Sequence, residues 1–481
     1  MPQRTVVLIN SNEMKPPVAP LALDYIGDRL IAAGFNVRLV DLSFADDPAD
    51  EIARTLADAH PIAVGITFRN TDDCFYASGA WFVPRLHDLV ALTKAATEAP
   101  IVIGGCGFSV FPAQVLDHCR TDIGVVGDGE ETFLKLVENL ETGADFRTLA
   151  GVAFRDRANR ITANPPRYGP DLDLPPARSI LDNARYLRQG AMGNIETKRG
   201  CPNRCIYCAD PVAKGTVTRC RSPRQVADEI ESLLAQSVDV LHICDAEFNI
   251  PPKHALAVCN EIIARGLGHQ IQWYCYATVS SFTGELASAM RRAGCVGINF
   301  GVDSASDRML ASLRRGYSRD AIRHAVDACR QAGIAVMLDL LIGPPGESPD
   351  SVKETIEFIK AVDPDRAGAA MGVRIYPRTP LADMIADQGP LQDNPNLHGC
   401  VTKNDDFFRP VFYLDRQLGD DPAALVADLI ADDERFFQPA NPKHADDYNY
   451  NDNTVLENAI DAGHRGAFWD ILRRLEQTSH P

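Results

Sequence analysis

Over the first 140 residues, apolar positions gather into short continuous runs at 6–9, 37–42, 62–67, 101–104 and 123–126. Runs of that length, rich in Val and Ile, predict strands buried on both faces. Between them the period changes. Leu23, Ile26 and Leu30 recur at i, i+3 and i+7, which is one face of a helix. Strands alternating with helices predict right-handed βαβ units and a parallel, Rossmann-like sheet. Gly104-Gly105-Cys106-Gly107 and Gly127-Asp128-Gly129-Glu130 follow the last two runs. Glycines there let a ligand approach the backbone at the carboxyl edge of the sheet.

The alternation resumes at residue 191 and repeats about six times, with candidate strands at 194–197, 240–244, 271–277, 296–301, 335–342 and 370–376. Val226, Ile230, Leu233 and Leu234 make one apolar helix face between the first two. Six βα units are too few for a closed eight-stranded barrel and suit an open, partial (β/α)6 barrel, with functional groups at the C-terminal strand ends. Between the two α/β regions, Asn164-Pro165-Pro166 and Leu174-Pro175-Pro176 predict an extended linker. After Gly389-Pro390 a polar stretch gives way to helical patterns at 423–430 and 467–475, split by Tyr448-Asn449-Tyr450-Asn451-Asp452-Asn453. The expected division is therefore 1–145, a linker at 146–190, a barrel domain at 191–390, and a small helical cap at 391–481.

Composition narrows the class. Hydrophobic residues make up 45% of the 481, enough for sizeable cores, and the formal net charge of −17 opposes a nucleic-acid or anionic-membrane partner. No apolar run approaches the ~18 residues of a membrane span, and the N-terminus reads as a first strand, so a cytoplasmic location is expected. Of the 13 cysteines most are scattered singly, as at Cys244, Cys259, Cys275 and Cys329, and read as small buried hydrophobes in a reducing compartment.

Three cysteines are different. Cys201, Cys205 and Cys208 stand in Gly200-Cys201-Pro-Asn-Arg-Cys205-Ile-Tyr207-Cys208, directly after the first barrel strand. One loop thus offers three thiolates to a metal centre. A cubane cluster commonly takes four cysteines, so three leave one iron open for a further ligand. A structural zinc site would need a fourth ligand close by, but the next cysteine is Cys220 and it has no C-x2-C partner.

The C-x3-C-x2-C loop with Tyr207 before its last cysteine resembles the signature of the radical S-adenosylmethionine (SAM) superfamily. That resemblance implies a 4Fe-4S cluster, SAM bound at the open iron, and one-electron cleavage of SAM to a 5′-deoxyadenosyl radical. Further motifs follow in order. Asp245-Ala246-Glu247-Phe248-Asn249 resembles the family's D-x-E-F-N form, in which Glu247 would accept the SAM ammonium. Gly301-Val302-Asp303-Ser304 resembles the ribose-binding G-x-E-S element, with Asp303 in place of Glu; the competing reading of Asp303 or Ser304 is a helix N-cap. Gly343-Pro344-Pro345-Gly346-Glu347 resembles the family's G-x-P-G-E turn, which packs near adenine, and Tyr376-Pro377-Arg378-Thr379-Pro380-Leu381 resembles a segment common in the cobalamin-linked branch; both read as scaffold.

The first domain resembles the cobalamin (B12)-binding fold that precedes many radical SAM domains. Such domains supply a lower cobalt ligand from D-x-H-x-x-G after the first strand, whereas this chain has Asn10-Ser11-Asn12-Glu13-Met14 and no histidine. Two alternatives stay open: cobalamin bound without a protein histidine, or a domain without cobalamin. Arg69-Asn70 opens the loop that would face the cobalt, and a guanidinium has no lone pair to donate. This resembles the tryptophan 2-C-methyltransferase group, where an arginine lies beneath an unligated cobalt; the competing reading pairs Arg69 with Asp72 or Asp73. Gly104 and Gly105 stand where the nucleotide tail would pass, and Gly127 and Glu130 are further candidates for cofactor binding.

The leading expectation is a cobalamin-dependent C-methyltransferase acting on a small, indole- or amino-acid-derived molecule. The substrate would lie between the cobalt face and the cluster, closed over by a C-terminal segment containing Phe407, Phe408, Tyr413 and residues 448–453. A flavodoxin or ferredoxin would supply electrons. The alternative is a cobalamin-independent radical SAM enzyme with a structural first domain, catalysing rearrangement, oxidation or aminocarboxypropyl transfer.

Overall fold

The computed structural model describes residues 4–12, 14–170, 172–437 and 453–479. Its first sheet has the order β2-β1-β3-β4-β5-β6-β7. Strands β1 (Thr5–Asn10), β2 (Asn36–Asp41), β3 (Ala63–Thr67), β4 (Ile101–Gly104) and β5 (Ile123–Val125) are parallel and fall on the apolar runs. All six residues of β1 are buried, because helices cover both faces of the sheet. The order reverses at β1, and loops after β1 and β3 diverge from that switch point, leaving a crevice at the carboxyl edge.

The linker is more ordered than its prolines suggest. β6 (Val152–Arg155) and β7 (Ile161–Ala163) extend the first sheet antiparallel from β5. The hairpin buries Val152, Ala153 and Phe154, which the proline count obscures.

The second sheet has the order β19-β15-β14-β13-β12-β11-β8, all parallel. Its strands are β8 (Gly193–Ile195), β11 (Val240–Ile243), β12 (Gln272–Ala277), β13 (Cys295–Asp303), β14 (Ala335–Ile342), β15 (Arg366–Met371) and the late addition β19 (Phe436–Phe437). Between β8 and β11 lies the short antiparallel pair β9 (Lys198–Arg199) and β10 (Arg219–Cys220). The run at 370–376 is not one strand. At Gly372, with φ +74°, the chain leaves β15 and enters β16 (Val373–Arg374). A Cβ at Gly372 would sit 2.9 Å from the Tyr76 ring, so the turn admits no side chain.

The C-terminal region is less purely helical than expected. β16 joins β17 (Leu397–Gly399) and β18 (Val411–Tyr413) in a three-stranded antiparallel sheet, followed by the helices Pro422–Ile430, Thr454–Asp461 and Phe468–Ser479. Trp469 from the last helix packs edge-on against Tyr274 of β12 and joins the barrel core.

Arginines tie the two α/β units together. Arg178 of the linker is fully buried. It donates to Asp24 (2.7 Å) in the first domain, and to Glu229 (2.9 Å) and the Asn194 carbonyl (2.7 Å) in the barrel. Arg374 reaches Asp72 at 3.0 Å, and Arg378 donates to the Val110 carbonyl at 2.7 Å. Among the described residues no helix is long and apolar enough to cross a membrane.

Candidate active site between the two domains

The carboxyl edges of both sheets open onto one cavity of about 1200 Å³. Ordinary small-molecule pockets reach roughly 1,000 Å³, so this space takes a ligand larger than a metabolite, or two ligands together. From the first domain it is lined by the loop after β1 (Asn10, Ser11, Asn12, Met14), by Arg69 and Asn70 after β3, by Gly104 and Gly105 after β4, and by Gly127 and Glu130 after β5. Glu196, Lys214, His242, Cys244 and Tyr276 face it from the barrel. Gly104 and Gly105 leave the sheet edge bare; Gly105 at φ +112° could not carry a Cβ, which would lie 2.6 Å from the Phe68 carbonyl oxygen.

Arg69 is exposed to this cavity and has no ion-pair partner among the described residues. The pairing with Asp72 or Asp73 does not form. Asp72 is taken by Arg374, and Asp73 by Ser78 and the Phe75 amide. The loop after β1 is stapled by its own side chains: Asn10 Oδ1 accepts the Asn12 amide and Asn12 Oδ1 accepts the Met14 amide, both at 3.1 Å. The only imidazole lining the cavity among the described residues is His242, on the barrel side. The donor set therefore fits a corrinoid without a first-domain ligand to cobalt. His60, His87 and His118 lie outside the cavity lining.

The cysteine loop is held at its centre. The Ile206 amide donates to the Leu313 carbonyl (3.3 Å), and its carbonyl accepts the Leu381 amide (2.9 Å), so the Tyr376–Leu381 motif supports the metal loop directly. Burial pushes the thiols of Cys201, Cys205 and Cys208 up, and nearby carboxylates add to the effect. For Cys205 the guanidinium of Arg315, whose Nη1 lies 3.0 Å from Sγ, opposes it. Buried thiols of this kind ionise only against a cation. Among the described residues, no three Cys, His, Asp or Glu side chains converge on a single-ion site. A cubane asks something else, one thiolate at each of three separate irons, and the loop's chemistry fits it better than mononuclear zinc.

Glu247 follows β11 near this loop. Burial raises its carboxyl to about 7, against the pull of Arg315 and Lys198. Its neighbours are structural: Asp245 accepts the Thr197 amide (2.8 Å), and Asn249 bridges to the Thr278 carbonyl (2.8 Å). Asp303 sits at φ +62°, a left-handed conformation that non-glycine residues adopt at a cost and often at functional sites. Its carboxylate is held by Tyr207 Oη (2.6 Å) and Arg315 Nε (3.2 Å), linking β13 to the cysteine loop.

Ser304 is completely buried, and its hydroxyl bonds Thr355 Oγ1 (2.9 Å) and the Ser306 amide (3.1 Å), so its side chain builds the turn. The N-cap of the following helix is Ser306. Cys244 also departs from expectation: it lines the cavity, 3.3 Å from His242 Nδ1. Glu130 reaches the cavity wall, but both carboxylate oxygens are held by Arg199. Phe407, Phe408 and Tyr413 are buried in packing, Phe408 against Trp81 and Phe111, and none lines the cavity. Residues 448–452 lie outside the described residues; Asn453 does line the cavity and caps the helix after it.

Sequence reading missed Arg199, Arg219, His242 and Arg315. Each stands outside a recognisable motif, and long-range contacts alone bring it to the site. Burial and Arg69 lower the His242 pKa to about 4, leaving a neutral imidazole edge-on to Tyr276.

This two-domain architecture, a parallel sheet with a ligand crevice facing a partial barrel with a three-cysteine loop, defines a radical SAM enzyme with an N-terminal B12-binding domain. Residues 195–359 match the radical SAM superfamily and residues 8–137 the B12 binding domain. The chain is 28% identical to a tryptophan 2-C-methyltransferase of Streptomyces laurentii, over 98% of this chain and 96% of that protein. The radical SAM methyltransferase TsrM from Kitasatospora setae has also been solved. With cobalamin and a 4Fe-4S cluster bound, it superposes with TM-score 0.89 at 28% identity, covering all of both chains. With tryptophan and the SAM analogue aza-SAM bound, the TM-score is 0.90, over 99% of this chain and 100% of that one.

Proposed function

We propose that this chain is a cobalamin-dependent radical SAM methyltransferase that methylates a carbon of tryptophan or a closely related indole. The observation that carries the reading is Arg69. It stands in the cavity with no ion-pair partner among the described residues, at the loop that would lie beneath a corrin, in a chain similar along its whole length to tryptophan 2-C-methyltransferase.

Cys201, Cys205 and Cys208 would hold the cluster, and the glycine-lined edge of the first sheet would hold the corrinoid. When bound, the cluster supplies an open iron and electrons for SAM, and the corrinoid supplies a cobalt that carries a methyl group. Everything else falls to the chain. Glu247, ionised above about pH 7, would accept the SAM ammonium in a charge-assisted bond. Arg69 has no lone pair, so it would leave the lower face of a corrin without a protein ligand while adding positive charge there. Tyr207 and Arg315 keep Asp303 oriented beside the cysteine loop. The substrate would take the remaining space between the domains, against His242 and Tyr276. An external one-electron donor of the flavodoxin or ferredoxin type completes the proposal.

The test supplies methyl-deuterated SAM, tryptophan, hydroxocobalamin and a low-potential one-electron reductant to the anaerobically reconstituted protein. A product carrying the intact deuterated methyl group on carbon is expected. Unlabelled product with stoichiometric 5′-deoxyadenosine would refute methyl transfer and favour direct radical chemistry.

A further inference from the structure

The cysteine loop is the connection between β9 and β10, and its base is bolted to the other domain. Arg199 ends β9, Arg219 begins β10, and the two are paired across the antiparallel register. Both turn to the loop after β5 in the first domain. Arg199 grips Glu130 with two bonds of 3.0 and 2.8 Å and reaches Asp128 at 3.3 Å, while its Nε donates to Glu196 at 2.7 Å. Arg219 pairs with Asp128 and donates to the Lys214 carbonyl inside the loop at 2.9 Å. The ring of Tyr168, from the linker, lies 4.1 Å from the Arg219 guanidinium carbon and closes the cluster. Side-chain exposure is 8% for Arg199, 6% for Glu130 and 3% for Arg219.

Such a network has one geometry. A guanidinium held by two-pronged and single bonds cannot shift without stranding buried charges. The same residues Gly127, Asp128, Gly129 and Glu130 line the large cavity. Whatever fills the first-domain side of that cavity therefore presses on a loop rigidly joined to the residue two before Cys201.

We infer that Arg199 and Arg219, acting on Asp128 and Glu130, are positioning residues that couple occupancy of the first-domain cavity to the geometry of the cysteine loop. Coupling between two sites is reciprocal, so each cofactor alters the affinity for the other by the same factor. The inference rests on the cofactor assignments proposed above.

The experiment titrates hydroxocobalamin, by absorbance, into anaerobic protein before and after iron–sulfide reconstitution. In the wild type the two dissociation constants should differ at least about fivefold, the low end of measured couplings. In Arg199→Lys, which keeps the charge and loses the fork, the ratio should fall to near one, with iron still at about four per chain. Asp128→Asn, at the more exposed carboxylate (24%), gives a milder variant expected to reduce the ratio should Arg199→Lys fold poorly. A wild-type ratio near one, or variants that keep the wild-type ratio, would overturn the inference alone. Absence of corrinoid uptake by either wild-type form would overturn the cobalamin assignment and the inference with it.

Discussion

Glu347 shows how a single carboxyl reports its surroundings. It is 1% exposed, accepts the Gly343 amide, and ends a turn in which its own amide donates to the Pro344 carbonyl at 3.1 Å. Burial raises its pKa to about 8. A carboxyl whose folded pKa is raised contributes fully below its unfolded pKa, and that contribution fades as pH climbs through the folded value. Between pH 5 and pH 9 the protein should therefore lose on the order of 4 kcal/mol from this group, at about 1.36 kcal/mol per pKa unit. Denaturant melts across that range check it. Glu347→Gln should flatten the slope, and an unchanged slope would place the pH dependence elsewhere. Arg69 is the contrasting residue: it has no ion-pair partner among the described residues, and the proposed function turns it toward a ligand.

At the scale of elements, the cysteine loop depends on what crosses it. Arg315 touches Cys205, Tyr207, Asp303 and the Gly301 carbonyl, all from outside the motif that names the loop. Arg315→Gln would leave Asp303, 8% exposed, without its cation, and losing one partner of a buried pair costs about 3–5 kcal/mol. Thermal melts should show that loss, and iron analysis after reconstitution should show fewer irons retained. Full iron and an unshifted melt would mean that Tyr207 alone holds Asp303.

The parallel strands, the barrel and the cysteine loop were all legible in sequence, because each writes a local signal: apolar runs, helical spacing, close-set thiols. β6 and β7 were not, because β6 reaches its partner β5 only across the intervening helix Glu130–Thr142, and the prolines just after the hairpin mimic a linker. The break at Gly372 was hidden for a related reason. An apolar run continues through it, and only contact with Tyr76 explains the turn. Ser304 fitted a motif, but the structure spends its hydroxyl on Thr355. Of the arginines that cross the interface, only Arg378 stands in a motif; Arg178, Arg199 and Arg374 carry no local pattern.

In the whole molecule, two cofactor-type domains face one cavity across an interface fixed by Arg178, Arg199, Arg374 and Arg378. Each of these guanidiniums engages groups from the opposing domain or from the linker, and all but the exposed Arg378 are buried, so the separation of the facing sheet edges is set mainly by buried, hydrogen-bonded charge. That fixed spacing is what methyl transfer between a corrin face and a SAM-binding barrel requires, because reacting groups gain most from being held in one geometry. The most direct measurement is cofactor content on a single anaerobic preparation supplied with iron, sulfide and hydroxocobalamin. One corrinoid together with about four irons per chain is predicted, the irons lost on Cys205→Ala. Iron without corrinoid at every ratio supplied would contradict it.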